Sequence, residues 1–233
     1  MLPEAPAHCS LCHLAHTQPF PDLDPIALAN YDEIGSMSMF SSAEMLFREQ
    51  QRADRVIVLY RGHVKLSCTS KDGRSMILKI AAPGHVLGLS AALSAKPFEV
   101  SAQAIDTVTA KSIGRTAFVD FIERHRGASL QVAISIAAEY KTAFDDVRRL
   151  GLSASVPARL ASLLMDWRTA PALGQPETRF QMLHSHDDIA SIVATSRESV
   201  TRTLSKFRQD RYIHMQGIWM RILEPEKMAR LAV

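Results

Sequence analysis

No apolar run in this chain approaches the ~20 residues that a membrane-spanning helix requires. The opening stretch, MLPEAPAHCS, lacks the basic start and apolar core of a secretory signal. A cytoplasmic protein with no membrane partner is therefore expected. Cysteine is scarce: three thiols in 233 residues, an odd number that builds no disulfide framework and suits a reducing compartment. Neither sign of charge dominates, with 27 Lys and Arg against 24 Asp and Glu. The hydrophobic fraction of 47% and charged fraction of 22% are ordinary for a folded globular chain, so disorder is excluded for the body. Catalytic signatures are missing as well. There is no GxSxG, P-loop or HExxH. His63 is followed by Val64 and Lys65 rather than by the His-x-His of a cupin-type metal oxygenase. No catalytic residue is assigned, and an enzyme is not expected; a β-barrel sensor or oxygenase with a DNA-binding appendage is the rival class.

What the chain does contain is concentrated in residues 186–211, HDDIASIVATSRESVTRTLSKFRQDR. Ile189, Ile192 and Val193 recur at i, i+3, i+4, and Val200, Leu204 and Phe207 repeat the pattern after a short break, which predicts two amphipathic helices. Ser185 with Asp188, and Thr195 with Glu198, are capping-box spacings that set the two starts. Removing the apolar positions of the second helix leaves Arg197, Glu198, Thr201, Arg202, Ser205, Arg208 and Gln209 facing outward. Arginine can pair bidentately with guanine O6 and N7, and a carboxylate can accept from cytosine N4. This is a helix-turn-helix with base-reading chemistry, and double-stranded DNA is the expected partner. The plainer reading is a solvated, salt-bridged helix face. Against it, residues 196–221 carry six basic and two acidic side chains, a surplus of four in a chain whose net charge is only +3. Such a local excess neutralises phosphates.

Residues 1–22, rich in Pro, His and Cys without any period, are expected to be an irregular arm, and a short helix is expected from Asp24 to about Ile34. From about Met45 to Gly114, short Val, Ile and Leu segments alternate with turn signals such as Arg61-Gly62, Asp72-Gly73 and Pro83-Gly84, the pattern of a compact antiparallel barrel or roll. Helical periodicity returns after Thr116. Ala133, Ile136, Tyr140, Ala143, Val147 and Leu150 repeat as a heptad seam and are the expected dimer interface. Leu130, Ile134, Ala137 and Phe144 supply a second face for packing on the roll. Gly151 is expected to end this helix, with 151–153 as hinge and Pro157 opening the next helix. Tyr212–Met215 and Ile218–Leu223 flank Gln216-Gly217 as a β-hairpin wing, from which Arg221 would contact phosphate. The implied fold class is α+β, with domains at 1–22 (arm), 23–122 (antiparallel β-roll), 123–151 (dimerisation helix) and 152–233 (winged helix-turn-helix).

SRESVTRTL resembles the SRETVGRIL of the cAMP receptor protein, and LFREQQRADRVIVLYRGHVKLSCTSKDGRSMILKIAAPGHVLGL is similar to the sensory roll of the bacterial Crp/Fnr regulators. Gly62, Gly73, Pro83, Gly84 and Gly88 stand at the turn positions of that family; Ala43, Gln50 and Ala194 replace three of its glycines. The resemblance implies a double-stranded β-helix of the cyclic nucleotide-binding type and a homodimer on a palindromic TGA-containing site, half-sites ~34 to 36 Å apart. RNA polymerase is the further partner it implies. Ser185, Ser196, Arg197, Glu198, Ser199, Thr201 and Arg202 would make the DNA contacts.

The signal is less defined. The family's cyclic AMP phosphate contacts, a Glu in the GELG-like stretch and an Arg-Ser pair, correspond to Val86 and to Val100-Ser101. That argues against cAMP, because a buried unpaired phosphate is costly. The arm's HCSLCHLAH offers Cys9 and Cys12 with His8, His13 and His16 for zinc or for an iron-sulfur cluster. The family's third arm cysteine is missing, however, and its strand cysteine corresponds to Ala110, with Cys68 on a different strand. Thiol redox switching at these cysteines, haem at His63 or His85, and constitutive binding without an effector complete the alternatives.

Overall fold

The computed structural model describes residues 20, 23–71, 73, 75–152, 155–169, 179–182 and 184–232. In chain order the elements are α1 (Pro25–Glu33), β1 (Ser36–Phe40), β2 (Met45–Phe47), β3 (Arg55–Arg61), β4 (Val64–Thr69), β5 (Ser75–Ala81), β6 (Val86–Leu87), α2 (Leu89–Ser94), β7 (Ser101–Ala104), β8 (Val108–Gly114), α3 (Arg115–Arg124), α4 (Arg126–Leu152), α5 (Val156–Thr169), β9 (Phe180–Gln181), α6 (His186–Ile192), α7 (Arg197–Gln209), β10 (Ile213–Gln216), β11 (Trp219–Ile222) and α8 (Pro225–Leu231). Two compact units result, one of Met1–Cys68 with Leu78–Ala138, the other of Thr69–Ile77 with Glu139–Val233.

The first unit is built on two four-stranded antiparallel sheets, ordered β1-β8-β3-β6 and β2-β7-β4-β5. β3 shows why a continuous apolar run stands at the centre. Its Ile57 and Leu59 join Leu46, Phe47, Leu87, Phe98 and Val108 inside the roll, while Val56 and Val58 face the opposite way, onto Tyr31, Phe118, Phe121 and Ile122. Alternating side chains of one strand thus feed two cores. Each fully buried Val, Leu or Ile contributes roughly 1.5 to 3 kcal/mol. Two turns come close at Gly62, whose φ is +81° and where an added Cβ would lie 2.5 Å from the Thr107 carbonyl oxygen; only glycine is accommodated there without strain.

α1 begins as expected at Asp24, whose carboxylate accepts from the Ile26 and Ala27 amides at 3.0 and 2.8 Å. At its other end, buried Lys111 of β8 donates to the carbonyls of Tyr31 and Asp32, as a cation placed on a helix C-terminus should. Asp72 lies outside the described residues, as does Ser153.

The long helix departs from expectation in two respects. It continues through Gly151 to Leu152, a helical glycine being costly by only ~1 kcal/mol. Nor do Leu130 and Ile134 pack on the roll: both are exposed, at 59 and 51%. Ala128 and Val132 occupy that contact instead, because their smaller side chains let the helix approach the Phe118 and Phe121 layer closely. The seam residues Ala133, Ile136, Tyr140, Ala143 and Val147 are exposed too, and Leu150 is half-buried.

In the second unit α5, α6, α7 and α8 accompany the three-stranded sheet β10-β11-β9. The β10–β11 hairpin forms where expected, with His214 opposite Arg221 and Gln216 opposite Trp219. β1, β9, α2 and α8 go beyond the sequence expectation; β9 is a two-residue pairing, too short for periodicity to resolve.

Candidate nucleic-acid interface

The interface is assembled from α6 and α7, each fixed by caps at its ends. Ser185 accepts from the Asp188 amide at 3.1 Å, while Asp188 Oδ2 accepts from the Ser185 amide, also at 3.1 Å. This is the expected capping box. A helix of seven residues is unstable alone, and Ile189, Ile192 and Val193 bury it. Its C-terminal carbonyls are met by α5, from which Arg159 Nε donates to Val193 O at 2.8 Å and Nη2 to Ala194 O at 3.4 Å. Between the helices Ala194 takes the left-handed conformation, φ +50°.

The cap of α7 differs from expectation. Ser196, not Thr195, is the N-cap, accepting from the Ser199 amide at 3.3 Å. Both residues carry a hydroxyl, so composition alone favoured neither; the left-handed Ala194 and the Thr195 N–H to Ala190 O bond delay the helix by one residue. Val200, Leu204 and Phe207 are buried as expected, joined by Thr203, whose hydroxyl donates to Ser199 O.

The opposite arc of α7 presents Arg197, Glu198, Thr201, Arg202, Ser205, Arg208 and Gln209 to solvent, with Ser199 half-buried behind them. Arg197 Nη1 pairs with Asp187 Oδ2 of α6 at 3.0 Å. The plainer reading of this face therefore holds for one residue. Glu198 turns back on the helix start, where its own amide and Ser196 hold its carboxyl below the usual range. Thr201 Oγ1 donates to Arg197 O and meets His186 Nδ1 at 2.8 Å. Arg221 is exposed on the wing. His186, Asp187 and Arg159 carry no sequence signal for these roles; only the fold brings them to α7 or its turn.

The helix-turn-helix matches the Crp-like helix-turn-helix domain over residues 158–231, and residues 38–125 match the cyclic nucleotide-binding domain. The chain is a Crp/Fnr-type transcription regulator. It is 28% identical to the transcriptional activatory protein AadR of Rhodopseudomonas palustris, over 97% of this chain and 92% of that protein. It is 27% identical to a CRP-like cAMP-activated global transcriptional regulator of Mycobacterium tuberculosis, over 94% of this chain and 98% of the other. The fold of FixK2 from Bradyrhizobium japonicum superimposes with a TM-score of 0.77 at 20% identity, covering 86% of this chain and 98% of that one. Relatives of this Crp/Fnr-type chain are regulators and not enzymes.

The positions that the resemblance assigns to cyclic AMP's phosphate contacts, Val86 and Val100-Ser101, carry neither a carboxylate nor a guanidinium. Val86, where the resemblance would place the carboxylate, is apolar and buried at 7% exposure. Ser101 Oγ accepts from the Glu49 amide at 2.9 Å. Phe98 stacks on Phe47 at 3.9 Å between centroids and closes against Gly88, where a Cβ would lie 2.5 Å from its ring.

Among the described residues the other sensing candidates sit on separate elements. Cys68 is a half-buried free thiol on β4, Ala110 is fully buried in β8, and Cys9 and Cys12 lie outside the described residues. His63 bonds Asp106 through Nδ1 at 2.9 Å. His85 Nδ1 lies 2.9 Å from Ala82 O, and burial with Lys79 nearby lowers its pKa. Among the described residues no group of three His, Cys, Asp or Glu could hold a metal.

Proposed function

We propose that this regulator acts as a homodimer on a palindromic, TGA-containing DNA site and that its affinity answers to the redox state of its thiols. The outward arc of α7 carries the reading. Arg197, Glu198, Thr201 and Arg202 lie together on the exposed side of a helix whose other side is buried, the arrangement that enters a major groove. Ser185, Ser196 and Ser199 hold the two helix starts, and Arg221 adds a sequence-independent phosphate contact from the wing. Dimerisation is supported by the exposed apolar length of α4, where Tyr140 and Val147 are each 68% accessible. A contiguous patch of that kind marks a surface that is covered in use.

The redox input is supported by Cys9, Cys12 and Cys68 being the chain's only thiols and by the poor fit for cyclic AMP. Metal on the arm, as zinc or an iron-sulfur cluster, and haem at His63 or His85 are the competing inputs. Contact with RNA polymerase is supported by the similarity to an activatory protein over nearly the whole chain. Fluorescence anisotropy with a TGTGA-N6-TCACA duplex, on anaerobic protein before and after mild oxidation and with metal content determined on the same sample, tests both parts. Two chains per duplex and a redox-dependent affinity are expected. Tight binding indifferent to oxidant, metal and cAMP would replace the redox input with constitutive action.

A further inference from the structure

His186 stands at the start of α6, and its ring reaches the recognition helix. Nδ1 lies 2.8 Å from Thr201 Oγ1. The single hydroxyl proton of Thr201 is committed elsewhere, to the carbonyl of Arg197 at 2.9 Å. Assigning Nδ1 as the donor and Thr201 as the acceptor satisfies both contacts at once. In that assignment the neutral ring is the Nδ1–H tautomer, with a lone pair on Nε2; protonation turns that same atom into a second N–H donor. Thr201 belongs to the outward arc with Arg197, Glu198 and Arg202, so the half-exposed imidazole sits at the rim of the proposed DNA surface.

We propose that His186 is a proton-coupled phosphate contact: the regulator takes up a proton at Nε2 when DNA docks, and the imidazolium donates a charge-assisted hydrogen bond to a backbone phosphate. The inference rests on the reading of α7 as the DNA-facing helix. A lone pair facing an anion is repulsive, whereas an N–H donor beside a phosphate is favourable, so docking raises the affinity of the ring for its second proton. Histidine is the side chain for which this change falls near neutral pH. The charged groups within one turn of it on α6, and of its partner Thr201 on α7, are Asp187, Asp188, Arg197, Glu198 and Arg202. Asp187 is engaged by Arg197, Asp188 by the Ser185 cap, and Glu198 by the start of its own helix. The incoming phosphate is the new anion in that set.

A group whose proton affinity rises in the complex strengthens binding as pH falls. The contact is to phosphate, so a random-sequence duplex at low salt is a sufficient probe. Its affinity is measured at pH 6, 7 and 8 for the full-length wild type, His186→Gln, His186→Arg, and His214→Gln as a control at the exposed wing histidine. Proton uptake is read by calorimetry in phosphate and in Tris. Wild type and His214→Gln are expected to lose affinity with rising pH, at most about tenfold per pH unit per chain, with net proton uptake at pH 7. His186→Gln should lose most of that uptake and bind at pH 6 as wild type does at pH 8, while His186→Arg should bind tightly at all three. Wild-type binding without proton uptake, or uptake that survives in His186→Gln, overturns the inference and leaves the DNA-binding reading intact. No binding of any duplex at pH 6 overturns that reading and the inference with it.

Discussion

Arg197 Nη1 lies 3.0 Å from Asp187 Oδ2, and the two side chains are 63 and 64% exposed. The first residue of the recognition helix is thus paired with an acid of the preceding helix. DNA must compete with Asp187 for this guanidinium. An exposed pair is worth ~0 to 1 kcal/mol, small enough for a phosphate or guanine to displace. Asp187→Asn should therefore raise affinity for all duplexes, by up to about fivefold at low salt, measured by anisotropy against ionic strength. Unchanged affinity would mean that the ion pair persists on DNA.

The turn between α6 and α7 is strained at Ala194, with φ +50°. An L-residue there costs roughly 1 kcal/mol relative to glycine. Ala194→Gly is expected to raise unfolding stability by about that amount. Arg159→Ala should lower it, because Val193 O and Ala194 O lose their partner. Urea titrations of both variants check the pair of signs.

Burial holds His85 neutral in the folded state, its pKa pushed below the usual histidine value. Above the unfolded-state pKa of about 6.5 neither state is protonated and the group is indifferent. As pH falls below that value the unfolded chain takes up the proton first, so stability is lost between about 6.5 and the lower folded-state pKa. Thermal unfolding at pH 7 and pH 5 should show a larger drop for the wild type than for His85→Gln. Equal drops would place the acid sensitivity elsewhere.

A charge on the exposed seam of α4 should disrupt the proposed dimer. Tyr140 is 68% exposed in the single chain, and its ring lies 5.7 Å from that of Phe144. Tyr140→Glu puts like charges opposite one another and should sediment as a monomer with an intact fold. A mutant that remains dimeric would move the interface off this seam.

Much of this architecture was legible in the chain because strong periodicity specifies it. The buried triplet of α7, the outward arc, the wing and the alternating strands follow from spacing alone. Resemblance added the turns. At Ala43, Gln50 and Ala194, where glycines of the family are replaced, the backbone keeps positive φ, at +68°, +64° and +50°; surrounding contacts impose the conformation on residues that disfavour it. Two things were not legible. α4 is apolar on several sides, so its sequence does not say which side meets the roll, and the small residues Ala128 and Val132 give a weaker apolar signal than the larger ones beside them. Contacts such as Arg159 to Val193 and His186 to Thr201 join positions 34 and 15 residues apart, distances at which no local pattern operates.

The central claim is that α7 reads bases, and Arg202 tests it most directly. Anisotropy titrations of wild type and Arg202→Ala are run on TGTGA-N6-TCACA and on duplexes in which each guanine in turn is replaced. Arg202→Ala should cost ~1 to 3 kcal/mol on the parent site and become indifferent to replacement of one guanine; Arg221→Ala should instead weaken all duplexes alike and reduce the salt slope. A uniform loss for Arg202→Ala across the whole series would contradict base reading by α7 and leave Arg202 as a phosphate contact.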